Sequence, residues 1–336
     1  MIKRTVKSIL QQTAALAGPH RWRSGGQLVI LMYHRILPPH DPRYVDEQPG
    51  MIVHPDTFDL HLQIAKQHFE IVSLTSWLAA ANRNEALPAR SLAITFDDGW
   101  RDNLQYALPV MRKHQAPGMI FLVSDMVGTT GNYWPEQLAQ AIRLCNARPD
   151  SLWETEAFRW LKDLDPNVTV ASDPEQIDVA IVAAKQNYDD AALRRLSTAM
   201  LDVVAKDVDA TERALLDWSE ILEMQASGLV EFGSHTVDHT RLTQERDEQE
   251  IDHQLRASKV ALEKGLGKPV DLFCYPNGDH APKAIALARE HYAAAVTTKR
   301  GWNTVNTSRH TMYRIGVHEG NSATPAAFRA RLSAWI

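Results

Sequence analysis

The sequence predicts an α/β fold in which a mostly parallel sheet curls into a barrel. Short, continuously apolar segments, which suit strands buried on both faces, alternate along the chain with longer segments of helical periodicity. Strands that alternate with helices pair in parallel, because each helix carries the chain back to the level at which the next strand begins. About seven such units occur, and a series of this length favours a barrel over an open sheet.

The apolar segments define the predicted strands. QLVILMY at 27–33 and LAITF at 92–96 each contain only one residue outside the hydrophobic set. Further strands are expected at 70–74, 119–124, 229–233, 270–275, 293–298 and 313–317. Helices are expected at 56–69, 102–114, 244–266 and 281–291, where apolar side chains recur at helical spacing.

The alternation of strands and helices fails between 135 and 219, where 176–206 is strongly helical. We interpret this stretch as a helical insertion between two barrel strands. The predicted organisation is an N-terminal helical segment at 1–26, barrel parts at 27–134 and 220–336, and the insertion at 135–219. Loops at the carboxyl ends of barrel strands carry function, so the insertion is either a lid or substrate subsite, or a stabilising addition.

Composition excludes several classes of protein. The chain has 336 residues, 44% of them hydrophobic, which is enough for a sizeable core. A net charge of −5 argues against a nucleic-acid partner, which would require a basic surface. The two cysteines do not form a disulfide framework, whereas fourteen histidines are a mild indication of metal or acid–base chemistry.

The N-terminus carries a short amphipathic pattern. Ile2, Val6, Ile9 and Leu10 share one helical face beside Lys3, Arg4 and Lys7. This helix either packs on the domain or makes a peripheral contact with an anionic membrane. Polar residues interrupt it, so it has neither the apolar core of a signal peptide nor the length of a membrane span. We therefore expect a cytoplasmic protein with membrane association left open, and the oligomeric state is not determined.

The strongest local motif is TFDDG at 95–99, directly after a predicted buried strand. Barrel strands deliver catalytic side chains at their carboxyl ends. Consecutive residues there point in different directions, so Asp97 and Asp98 can take different tasks. An Asp-Asp-Gly turn that merely caps the next helix is the alternative interpretation.

A second motif, SHTVDH at 234–239, also follows a predicted strand. If the barrel brings both motifs to one face, they supply one carboxylate and the imidazoles of His235 and His239. Three such ligands with an open position for water are typical of catalytic zinc sites. A Zn²⁺ ion there would acidify its bound water and polarise a carbonyl, and the second aspartate could act as base.

TFDDG, HTVDH and a later strand that ends in Tyr-Pro (FCYPNG at 273–278), in this order, resemble the polysaccharide deacetylase family with the NodB homology domain, carbohydrate esterase family 4. The resemblance covers 27–134 and 219–318. It implies a distorted (β/α) barrel of about seven strands. It also implies removal of N-acetyl groups from an amino sugar of a polysaccharide or a lipid-linked glycan, with a metal-bound water as nucleophile.

The resemblance assigns roles to the first two motifs. Asp98, His235 and His239 would bind a divalent metal, usually zinc, although such donors also accept Co²⁺, Ni²⁺ or Mn²⁺. Asp97 would be the general base, and Thr236 would help to fix its loop.

Later segments supply the remaining predicted roles. The backbone N–H of Tyr275, or of a neighbour, would stabilise the tetrahedral oxyanion, with Pro276 beside it at the substrate. His318, after the last strand, fits loosely the family's general acid, which protonates the leaving amine. The arginine that often begins the third motif and orients the base is missing, since Lys268, Pro269 and Asp271 stand there. Arg314 is the alternative candidate for a position near the base.

Two further residues are predicted to contact substrate. His34 ends the first strand and would face the active-site mouth, unless it is a structural strand-end histidine. Trp100 follows the DDG turn and could stack on a pyranose ring, although tryptophan at the end of an element more often packs in a core.

The predicted partner is an acetylated glycan or glycolipid. Two other functions stay open: a barrel that binds carbohydrate without catalysis, motivated by the missing arginine and the uncertain acid, and a hydrolase of another linear amide.

Overall fold

The computed structural model describes residues 12–16, 18, 25–148, 152–171, 173–204 and 213–334. The chain divides into two compact units. The first comprises Met1–Leu37, Val53–Thr129 and Leu215–Ile336, and the second comprises Pro38–Ile52 and Thr130–Ala214. The amphipathic pattern of residues 2–10 lies outside the described residues. None of the described helices is both long enough and apolar enough to cross a membrane.

The strands are β1 (Gln27–Tyr33), β2 (Arg35–Ile36), β3 (Ile52–Val53), β4 (Glu70–Ile71), β5 (Arg90–Phe96), β6 (Gly118–Leu122), β7 (Val230–Ser234), β8 (Leu272–Cys274), β9 (Ala294–Val296) and β10 (Ile315–Gly316). Seven of the described strands run parallel and curl into a half-barrel in the order β10-β1-β5-β6-β7-β8-β9, and β4 pairs with the start of β5. The predicted α/β class, a distorted barrel surrounded by helices, is therefore confirmed.

The helices are α1 (Pro55–His68), α2 (Leu74–Asn82), α3 (Leu108–His114), α4 (Trp134–Asn146), α5 (Glu156–Leu164), α6 (Pro174–Asn187), α7 (Asp190–Val204), α8 (Trp218–Ala226), α9 (Glu248–Leu266), α10 (Pro282–His291), α11 (Glu319–Ser322) and α12 (Pro325–Leu332). A π-helical turn, Asn103–Ala107, leads into α3. Residues 12–16 are also helical.

Both faces of the sheet are buried, which explains the continuous apolar strands. In β1, Val29 and Leu31 belong to one apolar cluster, whereas Leu28 and Ile30 belong to another on the opposite face. This alternation follows from the two-residue period of a strand. At tens of cal/mol per Å² of buried apolar area, these clusters supply the main stabilisation of the first unit.

The second unit has its own apolar cluster, to which α4, α5, α6 and α7 all contribute. The segment 176–206, predicted to be strongly helical, contains most of two helices, because Tyr188 adopts an extended conformation that ends α6. The side chain of Asp189 then accepts the backbone N–H of Ala192 at 2.7 Å and caps the start of α7. Cys145, in this unit, and Cys274, in the first, are both free, buried thiols.

Candidate active site

The carboxyl ends of the parallel strands meet at one edge of the half-barrel. β1 and β5 end side by side at Tyr33 and Phe96, and β6 and β7 end side by side at Leu122 and Ser234. Because these strands are parallel and in register, the residues that follow them leave the sheet at the same level. Most of the predicted site residues follow strands at this edge: His34, Asp97, Asp98, His235, Tyr275 and His318.

The TFDDG segment forms a tight turn at the end of β5. The backbone N–H of Asp97 donates to the carbonyl of Tyr33 at 3.0 Å, which continues the pairing with β1. Asp98 and Gly99 then take left-handed conformations, with φ of 76° and 81°. Such a φ is uncommon outside glycine, although aspartate tolerates it better than most residues. A Cβ at position 99 would also lie 2.8 Å from Leu122 Cδ2, so the left-handed φ and this close contact together favour glycine.

Asp98, His235 and His239 converge on one point. Asp98 Oδ1 lies 3.4 Å from Nε2 of His235 and 3.4 Å from Nε2 of His239. Ligand atoms of all three residues lie within 4.8 Å of one another. Ligands about 2.0–2.1 Å from a tetrahedral Zn²⁺ ion are about 3.3 Å apart, so these separations fit a zinc ion.

The orientation of His235 is determined by its neighbours. Its backbone N–H donates to the carbonyl of Leu122 at 2.8 Å, and its Nδ1 lies 2.7 Å from the carbonyl oxygen of Cys274. A carbonyl only accepts hydrogen bonds, so Nδ1 carries a proton and Nε2 is the ring nitrogen that faces Asp98. His239 has a left-handed φ of 64°, which turns the end of its loop back to the same point.

The carboxylate of Asp97 is held by Arg314, which directly precedes β10. Arg314 Nη1 donates to Oδ1 at 2.7 Å, and Nη2 donates to Oδ2 at 2.8 Å. Further bonds run from Nε to the carbonyl of Thr297 and from Nη1 to the hydroxyl of Thr95. Arg314 therefore lies beside Asp97, the residue predicted as the base, as the alternative interpretation of the sequence expected.

Burial and charge act in opposite directions on the two aspartates. Burial raises the pKa of Asp97, but the charge and hydrogen bonds of Arg314 outweigh it and leave the pKa below its usual value. Burial also raises the pKa of Asp98, and the hydrogen bond from His235 and the charge of His239 bring it well below the usual range. Both carboxyl groups are therefore ionised at neutral pH.

His235 shows the opposite shift. Burial lowers its pKa, but the neighbouring sulfur of Cys274 and the carboxylates of Asp98 and Asp97 raise it well above the usual value. The negative charge that attracts a proton to this imidazole would equally attract a cation.

His34 and His318 lie beside this centre. His34 Nε2 is 3.8 Å from Asp97 Oδ2, and 18% of the His34 side chain is exposed. The imidazole therefore lies between Asp97 and solvent, on what we call the open side of the site. The Val317 N–H donates to the carbonyl of Met32 and extends the β10–β1 pairing, so His318 leaves the sheet beside His34. His318 is half-buried, and its role as general acid stays a prediction.

Trp100 does not occupy the predicted position at the substrate. Its side chain is fully buried, and its indole Nε1 donates to Asp98 Oδ2 at 3.1 Å. The guanidinium of Arg35 lies 4.1 Å from the centre of its ring. The prediction that Trp100 stacks on a sugar is therefore wrong, because the ring has no face open to a ligand.

Tyr275 also differs from the prediction. Its backbone N–H donates to the carbonyl of Val296 at 3.3 Å, so this N–H cannot stabilise an oxyanion unless the sheet bond opens. Its hydroxyl donates to the carbonyl of His310, and the ring is buried in the core. Pro276 is buried at the start of the 3₁₀ turn Pro276–Gly278, and its role as a substrate contact stays a prediction.

Arg35 and Asp102 were not among the site residues predicted from the sequence. Arg35 Nε donates to Asp102 Oδ2 at 2.9 Å, and the backbone N–H of Ile36 donates to Asp102 Oδ1 at 2.9 Å. Both charged residues are almost completely buried. The available signal was the close position of each to a motif, Arg35 after Tyr33-His34 and Asp102 three residues after Gly99.

Comparison with known families agrees with this arrangement. Residues 84–150 and 175–296, more than half of the chain, match the family model described as polysaccharide deacetylase. A comparison with curated protein sequences gave no significant match.

Several solved structures are similar. The Streptococcus pyogenes deacetylase PplD in complex with acetate is 20% identical, with a TM-score of 0.57 over 88% of this chain and 95% of that chain. IcaB from Ammonifex degensii is 20% identical, with a TM-score of 0.56 over 91% and 98%. The deacetylase domain of BpsB from Bordetella bronchiseptica is 15% identical, with a TM-score of 0.52 over 87% and 96%. At these identities the similarity establishes the fold.

Proposed function

Because the chain belongs to the polysaccharide deacetylase family, we propose that it is a metal-dependent hydrolase that removes N-acetyl groups from an amino sugar. One observation carries the proposal. Asp98, His235 and His239 form a compact donor set, and an ionised Asp97, held by Arg314, lies immediately beside it. A cation site with a separate carboxylate next to it is what metal-assisted amide hydrolysis requires.

Asp98 Oδ1 and the Nε2 atoms of His235 and His239 would hold the cation. Their spacing fits Zn²⁺, and Co²⁺, Ni²⁺ or Mn²⁺ accept the same donors. When bound, the cation polarises the N-acetyl carbonyl and lowers the pKa of a water molecule.

Asp97 is the proposed general base. It accepts one proton from the attacking water, whose oxygen forms the new bond to the carbonyl carbon. Arg314 fixes both oxygens of Asp97 and keeps the carboxylate ionised, which maintains its ability to accept a proton but makes it a weaker base.

The leaving amine needs a proton when the C–N bond breaks, and His318 is the proposed donor. His34, close to Asp97 and partly exposed, is the proposed substrate contact at the open side. The products are acetate and a free amino sugar.

Arg314 also bears on the alternative of an inactive, carbohydrate-binding barrel. That alternative rested partly on the missing base-orienting arginine, and the bidentate pair of Arg314 with Asp97 removes this reason. The pair also keeps an ionised carboxylate beside the proposed cation site, which metal-assisted hydrolysis requires and carbohydrate binding alone does not.

The proposed substrate is an acetylated glycan or glycolipid, and the family does not distinguish a polymer from a lipid-linked precursor. Acetate release from a panel of acetylated polymers, short oligomers, lipid-linked sugars and non-sugar amides tests both the activity and its range. The purified full chain should release acetate from at least one sugar substrate after loading with Zn²⁺, and chelation should abolish release.

Two variants serve as controls. Asp97→Asn should lose release while it keeps stoichiometric zinc, and His239→Ala should lose both. Stoichiometric zinc without release from any substrate would favour the binding protein. Release from simple amides alone would overturn the sugar assignment.

A further inference from the structure

We propose that Trp100 is a positioning residue of the metal site: its indole N–H binds one oxygen of Asp98 and so reserves the other oxygen for the cation. The inference rests on the proposed function, because it requires Asp98 to be a metal ligand. It assigns to Trp100 a task that differs from sugar stacking.

The two oxygens of Asp98 have different partners. Oδ2 accepts the indole N–H of Trp100 at 3.1 Å. Oδ1 lies 3.4 Å from the Nε2 atoms of both His235 and His239, where the cation would bind. A hydrogen bond from a neutral donor stabilises the charged carboxylate without adding a positive charge that would repel a cation.

The different partners of the two Asp98 oxygens determine how many coordination positions of the cation the protein would occupy. A carboxylate can bind a cation through one oxygen or through both. Catalytic zinc sites use three protein ligands and leave a position open for water or substrate. If Asp98 rotated to offer both oxygens, it would occupy part of that open position. The hydrogen bond from Trp100 opposes this rotation.

The indole itself is rigidly supported. Trp100 is fully buried, and its backbone pairs with Leu215 in an isolated antiparallel bridge. The guanidinium of Arg35 lies over the ring at 4.1 Å, and Asp102 holds Arg35 in turn through a contact of 2.9 Å. Partners that orient a metal ligand typically change metal affinity by about 10- to 100-fold when they are removed.

A buried tryptophan elsewhere provides a matched control. Trp302 is 9% exposed, and its indole donates to the carbonyl of Leu332 at 2.9 Å, far in sequence from both motifs. Trp100→Phe and Trp302→Phe therefore remove the same chemical group from two buried positions. Only the first removes a donor to a proposed ligand.

The test uses the full chain stripped of metal, with zinc affinity measured by competition with a chromogenic chelator. Trp100→Phe should bind zinc about 10- to 100-fold more weakly, whereas Trp302→Phe should match the original chain. The visible spectrum of the Co²⁺-loaded protein gives a second readout, because its intensity depends on coordination number. It should change in Trp100→Phe and stay constant in Trp302→Phe.

Equal zinc affinity and equal cobalt spectra in Trp100→Phe and the original chain would overturn the inference. If Trp100→Phe does not fold, 3-benzothienylalanine at position 100 keeps the shape of the indole and replaces only its N–H. That variant should show the same weaker affinity. Asp98→Asn tests the proposed metal site separately from the role of Trp100. The zinc affinity of this variant must fall if Asp98 is a ligand, and an unchanged affinity would overturn the proposed function itself.

Discussion

Two buried arginine–aspartate pairs lie in the first unit, and they differ in what surrounds the carboxylate. Arg314 binds Asp97 at the carboxyl edge of the sheet, and Arg35 binds Asp102 near the turn that follows β5. Both guanidinium groups are buried, with exposures of 0% and 1%. In each pair the nitrogen–oxygen distances are below 3.0 Å, so geometry and burial alone do not distinguish them.

The neighbours of the two carboxylates distinguish them. Asp102 accepts hydrogen bonds from Arg35 and from the backbone N–H of Ile36, and thereby joins chain segments far apart in sequence. Asp97 has Arg314 on one side and ionisable groups on the other, among them His34 at 3.8 Å and Cys274 at 3.6 Å. A buried charge enclosed by structural donors stabilises a fold, whereas one held from a single side can exchange protons with its neighbours.

The largest expected effect concerns Asp97, the carboxylate of the pair proposed to act in catalysis. Asp97→Asn should lower kcat/KM by about 10³-fold or more, because an amide cannot accept the proton of the attacking water. Zinc affinity should stay within a few-fold of the original value, since Asp97 is not a proposed ligand. Acetate release and chelator competition measure the two quantities. Activity within tenfold of the original chain would place the base elsewhere.

Substitutions in the Arg35–Asp102 pair should affect the stability of the fold. Asp102→Asn removes the partner of a buried guanidinium and should lower the free energy of unfolding by about 3 kcal/mol. The folded, zinc-loaded fraction should keep a kcat within a few-fold of the original value, because Asp102 contacts no proposed catalytic group and reaches Asp98 only through Arg35 and Trp100. Urea unfolding at neutral pH, paired with acetate release at a permissive temperature, measures both. Unchanged stability together with lost activity would contradict the structural role.

A third prediction extends the comparison from buried charge pairs to buried histidines. His61 lies in the core, where Tyr33 donates its hydroxyl to Nδ1 at 3.0 Å and Nε2 bonds to the carbonyl of Ser322. Burial lowers the pKa of His61 to about 4, in contrast to the raised pKa of His235 among its carboxylates. The folded protein therefore binds fewer protons than the unfolded chain between pH 6.5 and 4.

The contribution of His61 to stability is fully present above pH 6.5 and is lost as the pH falls toward 4, by about 3 kcal/mol in total. Urea unfolding of metal-free protein at several pH values, compared with His61→Gln, measures it. The original chain should lose stability more steeply than the variant, and parallel curves would contradict the prediction.

The smallest expected effect is also the sharpest test of the comparison. Lysine keeps the charge of arginine but cannot make two parallel hydrogen bonds to one carboxylate. Arg314→Lys should lower kcat about tenfold, because Asp97 loses its fixed orientation. Arg35→Lys should lower the unfolding free energy by roughly 1–2 kcal/mol with little change in kcat. Equal effects of the two variants on kcat would mean that the two pairs do not differ in function.

Much of the fold was predictable because parallel strands need apolar side chains on both faces. The first strand was predicted with its observed ends, Gln27 and Tyr33. The segment 176–206 was predicted to be strongly helical, but the pattern did not show the break between its two helices, since helical periodicity continues across Tyr188 and Asp189. An extended residue followed by a capping aspartate is a local event that a periodic pattern does not register.

The candidate site was likewise predicted only in part. Both aspartates and both histidines of the two motifs were identifiable because each motif directly follows a strand, and parallel strands direct their carboxyl ends to one edge. The position of Trp100 was mispredicted. A tryptophan after a strand can face a ligand or the interior, and its neighbours Arg35 and Asp98 decide between these outcomes.

By itself, the sequence determined the α/β class and the location of the proposed metal ligands at strand ends, since both depend on patterns within single segments. Only the tertiary structure decided which guanidinium holds Asp97, because Arg314 is 217 positions away and reaches it through the pairing of β10 with β1. It also decided that the N–H of Tyr275 belongs to the sheet and that of Trp100 to Asp98. Hydrogen bonds form over about 3 Å, and no spacing along a chain specifies which remote groups will come within that distance.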